Sequence, residues 1–293
     1  MKADALCGLW IDDAGRAHVS RATAEGGRRE TVEEFRPFAW TAETGVHPGV
    51  TFEELAGPGV FRRLAHAESL PAFDDFFKAM REGGAIDVVK PYESQWLMQR
   101  RERLFDGLPF GGLRRCQLDI ETASADGGFS DARNADDRIL AIGLQAGERV
   151  ELLELEEETP EAEKRLLLRF NDVFRELDPD VVEGHNLFKF DLDYLRQRCR
   201  RHKVSCAWGR FGRMAEFRNS RLKIAERWLD FPRCDLPGRA VIDTYQLVQL
   251  YDITTREMMS YGLKEAAVYF GVTPENGAGR TYIGGAGIQD EFR

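Results

Sequence analysis

Long hydrophobic runs and paired cysteines are both missing from this sequence. No apolar stretch in its 293 residues approaches the roughly 20 residues that a membrane-spanning helix needs, and residues 1–9 lack the basic-then-apolar layout of a signal peptide. The five cysteines are odd in number and include no Cys-x-x-Cys pair, which argues against a disulfide framework. These absences predict a soluble, cytoplasmic protein with reduced thiols and no membrane partner.

A zinc-ligand pattern and an overall positive charge are absent as well. Cys199, His202 and Cys206 lie close together in the chain, but their spacing matches no common zinc site. The net charge of −9 argues against a nucleic-acid coat protein. Residues 196–227 nevertheless carry eleven Arg or Lys residues against two acids. This basic block predicts either a phosphate-contacting surface or an ordinary solvated face, and the sequence leaves both open.

Two regions with different patterns divide the chain. Residues 1–112 show short strand-like runs and turn signals. One helix is predicted there, opened by Ser69 and closed by Gly83-Gly84, because apolar residues recur at helical spacing at Phe73, Phe76, Phe77 and Met80. From residue 113 onward, strands and helices alternate. We predict an α/β fold in which an RNase H-like mixed sheet flanked by helices occupies residues 113–293, preceded by a smaller mixed α+β domain at residues 1–112.

The second region predicts five strands and four helices. The strands are expected at residues 116–121, 138–144, 150–155, 181–182 and 240–243. The helices are expected to begin near Thr159, Phe190, Tyr245 and Leu263. The second of them is expected to run through the basic block, Ser260 is expected to cap the last, and residues 277–287 are expected to form a loop.

Two acids on one predicted strand are the first candidates for chemistry. Asp119 and Glu121 are two residues apart, so both point to the same face of the sheet. Their charges repel each other, and holding both ionised is expensive unless a cation is present. Carboxylate oxygens are the ligands that Mg²⁺ or Mn²⁺ prefers. The alternative is a solvent-facing acidic pair on an edge strand.

The second constellation begins where the predicted strand at residues 181–182 ends. Gly184, His185 and Asn186 form a short loop, and Asp191 follows five residues later at the start of a helix. This order lets Asp191 face the end of the strand that carries Asp119, with Asn186 free for hydrogen bonds and Phe190 for packing against a base. The alternative for Asp191 is a helix cap, a position that acids favour.

These motifs resemble the first and second exonuclease motifs of family B DNA polymerases. The first is Asp119-Ile120-Glu121-Thr122, and the second is Gly184-His185-Asn186-x-x-x-Phe190-Asp191-x-x-Tyr194-Leu195. The 70 residues between Glu121 and Asp191 suit that family. Residues 241–245 and 260–264 are similar to the segments that follow, and residues 36–40 are similar to part of the amino-terminal domain. The resemblance covers nearly the whole chain and makes residues 1–112 a polymerase-type amino-terminal domain.

The resemblance implies a 3′-to-5′ proofreading exonuclease that uses two Mg²⁺ or Mn²⁺ ions on single-stranded or primer-template DNA. Asp119 would bridge both ions, Glu121 would hold the nucleophile-side ion, and Asp191 would support the second ion. Four further residues would grip the terminal nucleotide: the Ile120 backbone, Thr122, Asn186 and Phe190. Polymerase palm, fingers and thumb would belong to a longer parent chain.

One departure from the family pattern concerns its third motif, Tyr-x-x-x-Asp. No such pattern follows Asp191 in the chain. Asp290 and Glu291 are interpreted as ordinary exposed acids rather than replacements. We infer a truncation before the third motif, and therefore expect weak metal binding and poor cleavage by these 293 residues.

Two other functions remain open from the sequence. One is a free-standing exonuclease of the Asp-Glu-Asp-Asp group, against which the polymerase-like first 112 residues argue. The other is a nucleic-acid-binding module without catalysis, in which the basic block makes the contacts. A pure binder would show no dependence on divalent ions beyond screening.

Overall fold

The computed structural model describes residues 4–42, 45–81, 86–125 and 127–272. These residues form two compact units, one ending at Leu113 and the other beginning at Arg114. Within this described part, no helix is long and apolar enough to cross a membrane.

The first unit contains two antiparallel sheets and two helices. Strands β1 (Leu6–Ile11), β2 (Arg16–Ala22) and β3 (Arg28–Glu34) form one sheet in that order. The other sheet has the order β5-β6-β4-β7, from β4 (Phe38–Thr41), β5 (Val50–Glu54), β6 (Arg63–Ala67) and β7 (Ile86–Asp87). The helices are α1 (Leu70–Arg81) and α2 (Tyr92–Arg100).

Helix α1 confirms the one helix predicted in this region. Its apolar stripe buries Phe73 and Phe76, which contact the sheet residues Ala39, Ala65 and Ala67. The predicted closing pair, Gly83-Gly84, lies outside the described residues. Helix α2 was not predicted, since only Trp96 and Gln95 on it are buried and its short sequence carries no long apolar stripe.

The second unit is built on one five-stranded mixed sheet of order β10-β9-β8-β11-β14. Its strands are β8 (Arg115–Thr122), β9 (Ile139–Ala146), β10 (Arg149–Glu154), β11 (Val181–Gly184) and β14 (Ala240–Asp243). β8, β9 and β10 pair antiparallel, whereas β11 runs parallel to both β8 and β14. A separate hairpin is formed by β12 (Glu216–Ile224) and β13 (Arg227–Asp235).

Four helices accompany this sheet: α3 (Pro160–Leu177), α4 (Asp191–His202), α5 (Thr244–Thr255) and α6 (Leu263–Tyr269). Helix α3 starts as predicted, because the Thr159 hydroxyl accepts a hydrogen bond from Ala162 N at 3.2 Å and proline occupies the first turn. Its stripe of Leu166, Leu167, Phe170 and Phe174 is buried with strand residues in one core. The predicted α/β class with a mixed sheet and helices is confirmed.

Two details of the prediction were wrong. Helix α4 stops at His202, where Lys203 adopts a left-handed conformation (φ 55°), instead of running through the basic block. Gly262, not Ser260, precedes α6, and the Ser260 hydroxyl accepts from Gly262 N at 3.2 Å. The predicted loop at 277–287 lies outside the described residues.

The basic block does not form one cationic surface. Arg198 and Arg210 are both buried, with Arg198 Nε donating to Glu163 Oε1 at 2.7 Å and Arg210 bonded to Asp178 and Asp180. On the hairpin, Arg218 and Arg221 pair with aspartates of the opposite strand. Arg198 and Arg210 are therefore neutralised in the core, whereas Arg218 and Arg221 form ion pairs on the exposed hairpin.

Candidate active site at the carboxyl edge of the sheet

The carboxyl ends of three parallel strands meet at one edge of the sheet. β11 pairs with β8 only as far as Glu183 opposite Gln117, while its pairing with β14 continues to Gly184 opposite Asp243. β8 therefore extends past the end of β11, and its last residues include Asp119 and Glu121. The chain turns away after Gly184, which places the second motif beside the first.

Gly184 allows this close approach of β11 to β8. A Cβ atom at residue 184 would lie 2.8 Å from the Leu118 carbonyl oxygen and 2.8 Å from Leu187 Cδ1. A backbone oxygen at that distance cannot move aside without shifting strand β8. The glycine is thus required by packing, and not by an unusual backbone angle.

The variant Gly184→Ala is expected to lower the free energy of unfolding by about 1–3 kcal/mol, the usual cost of overpacking. Gly143→Ala on β9 is the matched control, since its Cβ would meet only Asp119 O at 3.8 Å. Thermal unfolding of both variants gives the comparison. Equal midpoints for the two would contradict the assigned role of Gly184.

Asp191 joins the two motifs physically. It is the first residue of α4, only 2% of its surface is exposed, and its Oδ1 accepts a hydrogen bond from Ile120 N at 3.1 Å. At Ile120, β8 still pairs with Ile142 of β9, but β11 no longer flanks it. The carboxylate thus satisfies a backbone N–H that the shortened strand leaves unpaired.

Burial raises the pKa of all three predicted acids. Burial, then the charges of Asp119 and Asp243, raise the pKa of Asp191 well above its ordinary value. Desolvation raises the pKa of Asp119, and desolvation followed by the Asp119 charge raises the pKa of Glu121. None of the three forms an ion pair within the described part of the chain. The charge of Asp119 therefore raises the pKa of both other acids.

The donor chemistry of this cluster suits a hard divalent cation. All three groups are carboxylates that lack a basic partner, so a cation would relieve their repulsion. Across residues 4–272, apart from the gaps noted above, no three His, Cys, Asp or Glu side chains are arranged closely enough to hold a metal ion together.

Two of the four residues expected to hold a nucleotide lie on β8, and the other two lie in the segment between β11 and α4. Ile120 is buried on β8 and its N–H is already bonded to Asp191, while the Thr122 hydroxyl contacts Ser130 Oγ at 2.7 Å. Asn186 adopts a left-handed conformation (φ 65°), and Phe190 is half-buried with its ring 5.5 Å from that of Tyr194. Each of the four thus lies within five residues, along the chain, of one of the three acids.

Two further side chains at this edge, Asp243 and His185, had no role predicted from the sequence. Asp243, the last residue of β14, is buried and accepts hydrogen bonds from backbone amides of the second-motif loop. His185 places its ring nitrogens 3.0 Å from Thr244 Oγ1 and 2.8 Å from Tyr261 O. An acid at a strand end, directly before a helix start, was the available signal for Asp243.

Comparison with known proteins decides the family. The profile described as DNA polymerase family B, exonuclease domain, matches residues 106–266. The chain belongs to this family. The resemblance seen in the motifs is therefore confirmed, and most of the matched range lies in the second unit, which begins at Arg114.

Relatives in the family come from distant organisms. DNA polymerase 2 of Aeropyrum pernix is 37% identical over 106 residues, which are 35% of this chain and 12% of that protein. The DNA polymerase delta catalytic subunit of Glycine max is 29% identical over 118 residues, which are 38% of this chain and 10% of that protein. The chain thus matches about a tenth of the length of these relatives.

A solved structure shares the fold. The family B DNA polymerase from the hyperthermophilic archaeon Pyrobaculum calidifontis superimposes with a TM-score of 0.67 at 21% sequence identity. The match covers 97% of this chain and 42% of that one. It supports the same mixed α/β arrangement for this family B chain.

Proposed function

We propose that this chain is the amino-terminal and proofreading portion of a family B DNA polymerase. Its reaction is hydrolysis of the terminal phosphodiester at the 3′ end of single-stranded or frayed DNA. The observation that carries this proposal is the hydrogen bond from Ile120 N to Asp191, because it joins the strand of the first motif to the helix of the second. Asp119, Glu121 and Asp191 then act on one phosphate.

Asp119, Glu121 and Asp191 are the residues that would hold two Mg²⁺ or Mn²⁺ ions. Bound ions of this kind supply an activated water and neutralise charge on the phosphate. Asp119 presents an exposed side chain and its charge raises the pKa of the other two acids, which suits a carboxylate that would help hold both ions. Glu121 would hold the nucleophile-side ion and help align the attacking water, and Asp191 would support the second ion.

Substrate contacts follow from the neighbouring residues. The Phe190 ring is half-exposed and is available to stack on a base, which favours an unpaired end over a duplex. Asn186 and Thr122 offer an amide and a hydroxyl for the sugar and phosphate. With Ile120 they would hold the terminal nucleotide against the acids.

We further propose that these 293 residues cleave slowly by themselves. No Tyr-x-x-x-Asp follows Asp191, so the fourth acid and the tyrosine of the family pattern are not supplied. A fusion that adds such a helix after residue 293 is expected to cleave faster than the chain alone. Rapid cleavage by the unextended chain would refute the impairment, though not the exonuclease.

The test of the activity is degradation of a 5′-labelled single-stranded oligonucleotide. Shortening from the 3′ end is expected with Mg²⁺ or Mn²⁺ and is expected to stop with a chelator. An oligonucleotide with a nuclease-resistant 3′-terminal linkage is the matched control and should stay intact. Binding without any metal-dependent shortening, even in the extended fusion, would favour a non-catalytic nucleic-acid-binding module instead.

A further inference from the structure

Asp243 is a buried carboxylate whose hydrogen-bond partners, among the described residues, are backbone N–H groups. Two belong to the loop after β11 and one to the first turn of α5. Asp243 Oδ1 accepts from Asn186 N at 2.9 Å and from Tyr245 N at 3.0 Å, and its Oδ2 accepts from Phe188 N at 3.1 Å. Only 5% of the residue is exposed. A buried carboxyl group must be satisfied by hydrogen bonds, so these contacts tie β14 to the second-motif loop.

The residues that Asp243 holds are those that place the second motif. Asn186 is in the left-handed region, a conformation that costs energy for most residues and needs external support. Two backbone bonds, Phe190 N to Asn186 O at 3.0 Å and Leu192 N to Leu187 O at 2.9 Å, then lead directly into α4. The conformation of the loop therefore sets the orientation of Phe190 and Asp191.

Thr244, the next residue, holds the same loop from its other end. Its hydroxyl donates to Gly184 O at 2.9 Å and contacts His185 Nδ1 at 3.0 Å. Residues 184, 186 and 188 are thus all bonded to two consecutive residues at the end of β14. A simple helix cap on α5 would require only the bond from Tyr245 N.

We infer that Asp243 is a positioning residue for the exonuclease reaction, setting the loop at 186–188 and, through it, the placement of Asn186, Phe190 and Asp191. This inference rests on the proposed function. Asparagine at 243 has the same size, but it has a single side-chain oxygen. That oxygen can accept either from Phe188 N or from Asn186 N and Tyr245 N, and not from both sets. The asparagine amide N–H would face either Phe188 N or the two donors on Oδ1, which sets donor against donor.

The test uses Asp243→Asn in the full 293-residue chain, with Asp180→Asn as the matched control. Asp180 is also buried on this sheet, but it precedes β11, at the opposite edge, and bonds to Arg114 N and Arg210. Amide hydrogen exchange at Asn186 and Phe188 is expected to become about tenfold or more faster in Asp243→Asn only. Exchange at Ile142 on β9 is the internal reference.

Cleavage of a single-stranded oligonucleotide with Mn²⁺ gives the second readout. Asp243→Asn is expected to lower kcat on the order of 10-fold or more, the scale of effect for groups that orient metal ligands, with a smaller change in KM. Asp180→Asn is expected to lower the unfolding midpoint while leaving kcat near that of the wild type. Unchanged exchange at both loop amides, or an equal loss of kcat in the control, overturns the inference. If neither the wild type nor the extended fusion cleaves, the proposed function fails, and the exchange data still decide whether Asp243 sets the loop.

Discussion

Asp119→Ala is expected to abolish metal-dependent shortening of a 3′ end, with a loss of at least about 10²–10³-fold in rate. The charge of Asp119 raises the pKa of both Glu121 and Asp191. Its removal takes away the carboxylate best placed to be shared by two cations. The rate of release of the 3′-terminal nucleotide measures the effect.

The same variant is expected to keep or slightly raise the unfolding midpoint. Replacing Asp119 relieves repulsion between like charges, and the Ile120 N–H keeps Asp191 Oδ1 as its acceptor. Asp193→Ala is the control, because Asp193 lies two residues after Asp191 on α4 but pairs with Arg196. Retained cleavage in Asp119→Ala, or equal loss in the control, would exclude the proposed site.

Arg198→Met is expected to destabilise the chain by about 3–5 kcal/mol, because the buried Glu163 carboxylate loses its permanent cation and keeps as partners His202 Nε2 at 2.8 Å and Ile139 N at 3.0 Å. Arg198 and Glu163 are both fully buried, and Arg198 also donates to the carbonyls of Ala132, Asn134 and Ala135. These contacts fix the loop that follows β8 against α4, the helix that starts at Asp191. Urea unfolding measures the loss.

Two comparisons sharpen this prediction. Arg175→Met breaks an exposed pair with Asp172 and is expected to cost at most about 1 kcal/mol. The double variant Glu163→Gln with Arg198→Met removes both charges and is expected to be more stable than Arg198→Met alone. A double variant no more stable than the single one would show that packing, and not the unpaired charge, sets the cost.

Lowering the pH is expected to reduce the stability that the Glu163–Arg198 network gives the wild type. Burial by itself would raise the pKa of Glu163, but hydrogen bonds from Arg198 and Ile139 N outweigh it and lower the pKa below its usual 4.5. The stabilisation is therefore fully present above pH 4.5 and is lost as the pH falls through the lowered value. In Arg198→Met this acid-side loss of stability should shrink or reverse.

Local patterns were enough to predict the main elements of the second unit. The alternation at residues 116–121 and the capped, striped helix after Thr159 depend on neighbours within a few residues, and both were found as expected. The hairpin of β12 and β13 was missed for the opposite reason. Its charged residues look solvated along the chain, but Arg218 and Asp235, 17 residues apart, pair across the strands.

The burial of basic residues was equally invisible from the chain. The sequence pattern places Arg198 in a basic block that could form a surface. In the structure it lies in the core, because Glu163, 35 residues away in the chain, neutralises its charge there. Asp243 reads as a strand end, and its bonds to Asn186 and Phe188 span 57 and 55 residues. Contacts between distant residues decide the environment of a charge, and spacing does not encode them.

By itself the sequence determined the α/β class, the family and the candidate acids, because these depend on short-range periodicity and on motifs of a few residues. Only the tertiary structure decided which groups meet. Strand β11 ends at Gly184, and beyond that end the Ile120 N–H donates a hydrogen bond to Asp191. Asp243 accepts a hydrogen bond from Asn186 N in the loop that follows β11. Those placements follow from strand register and backbone hydrogen bonding between remote segments, which cooperative packing of the whole sheet establishes.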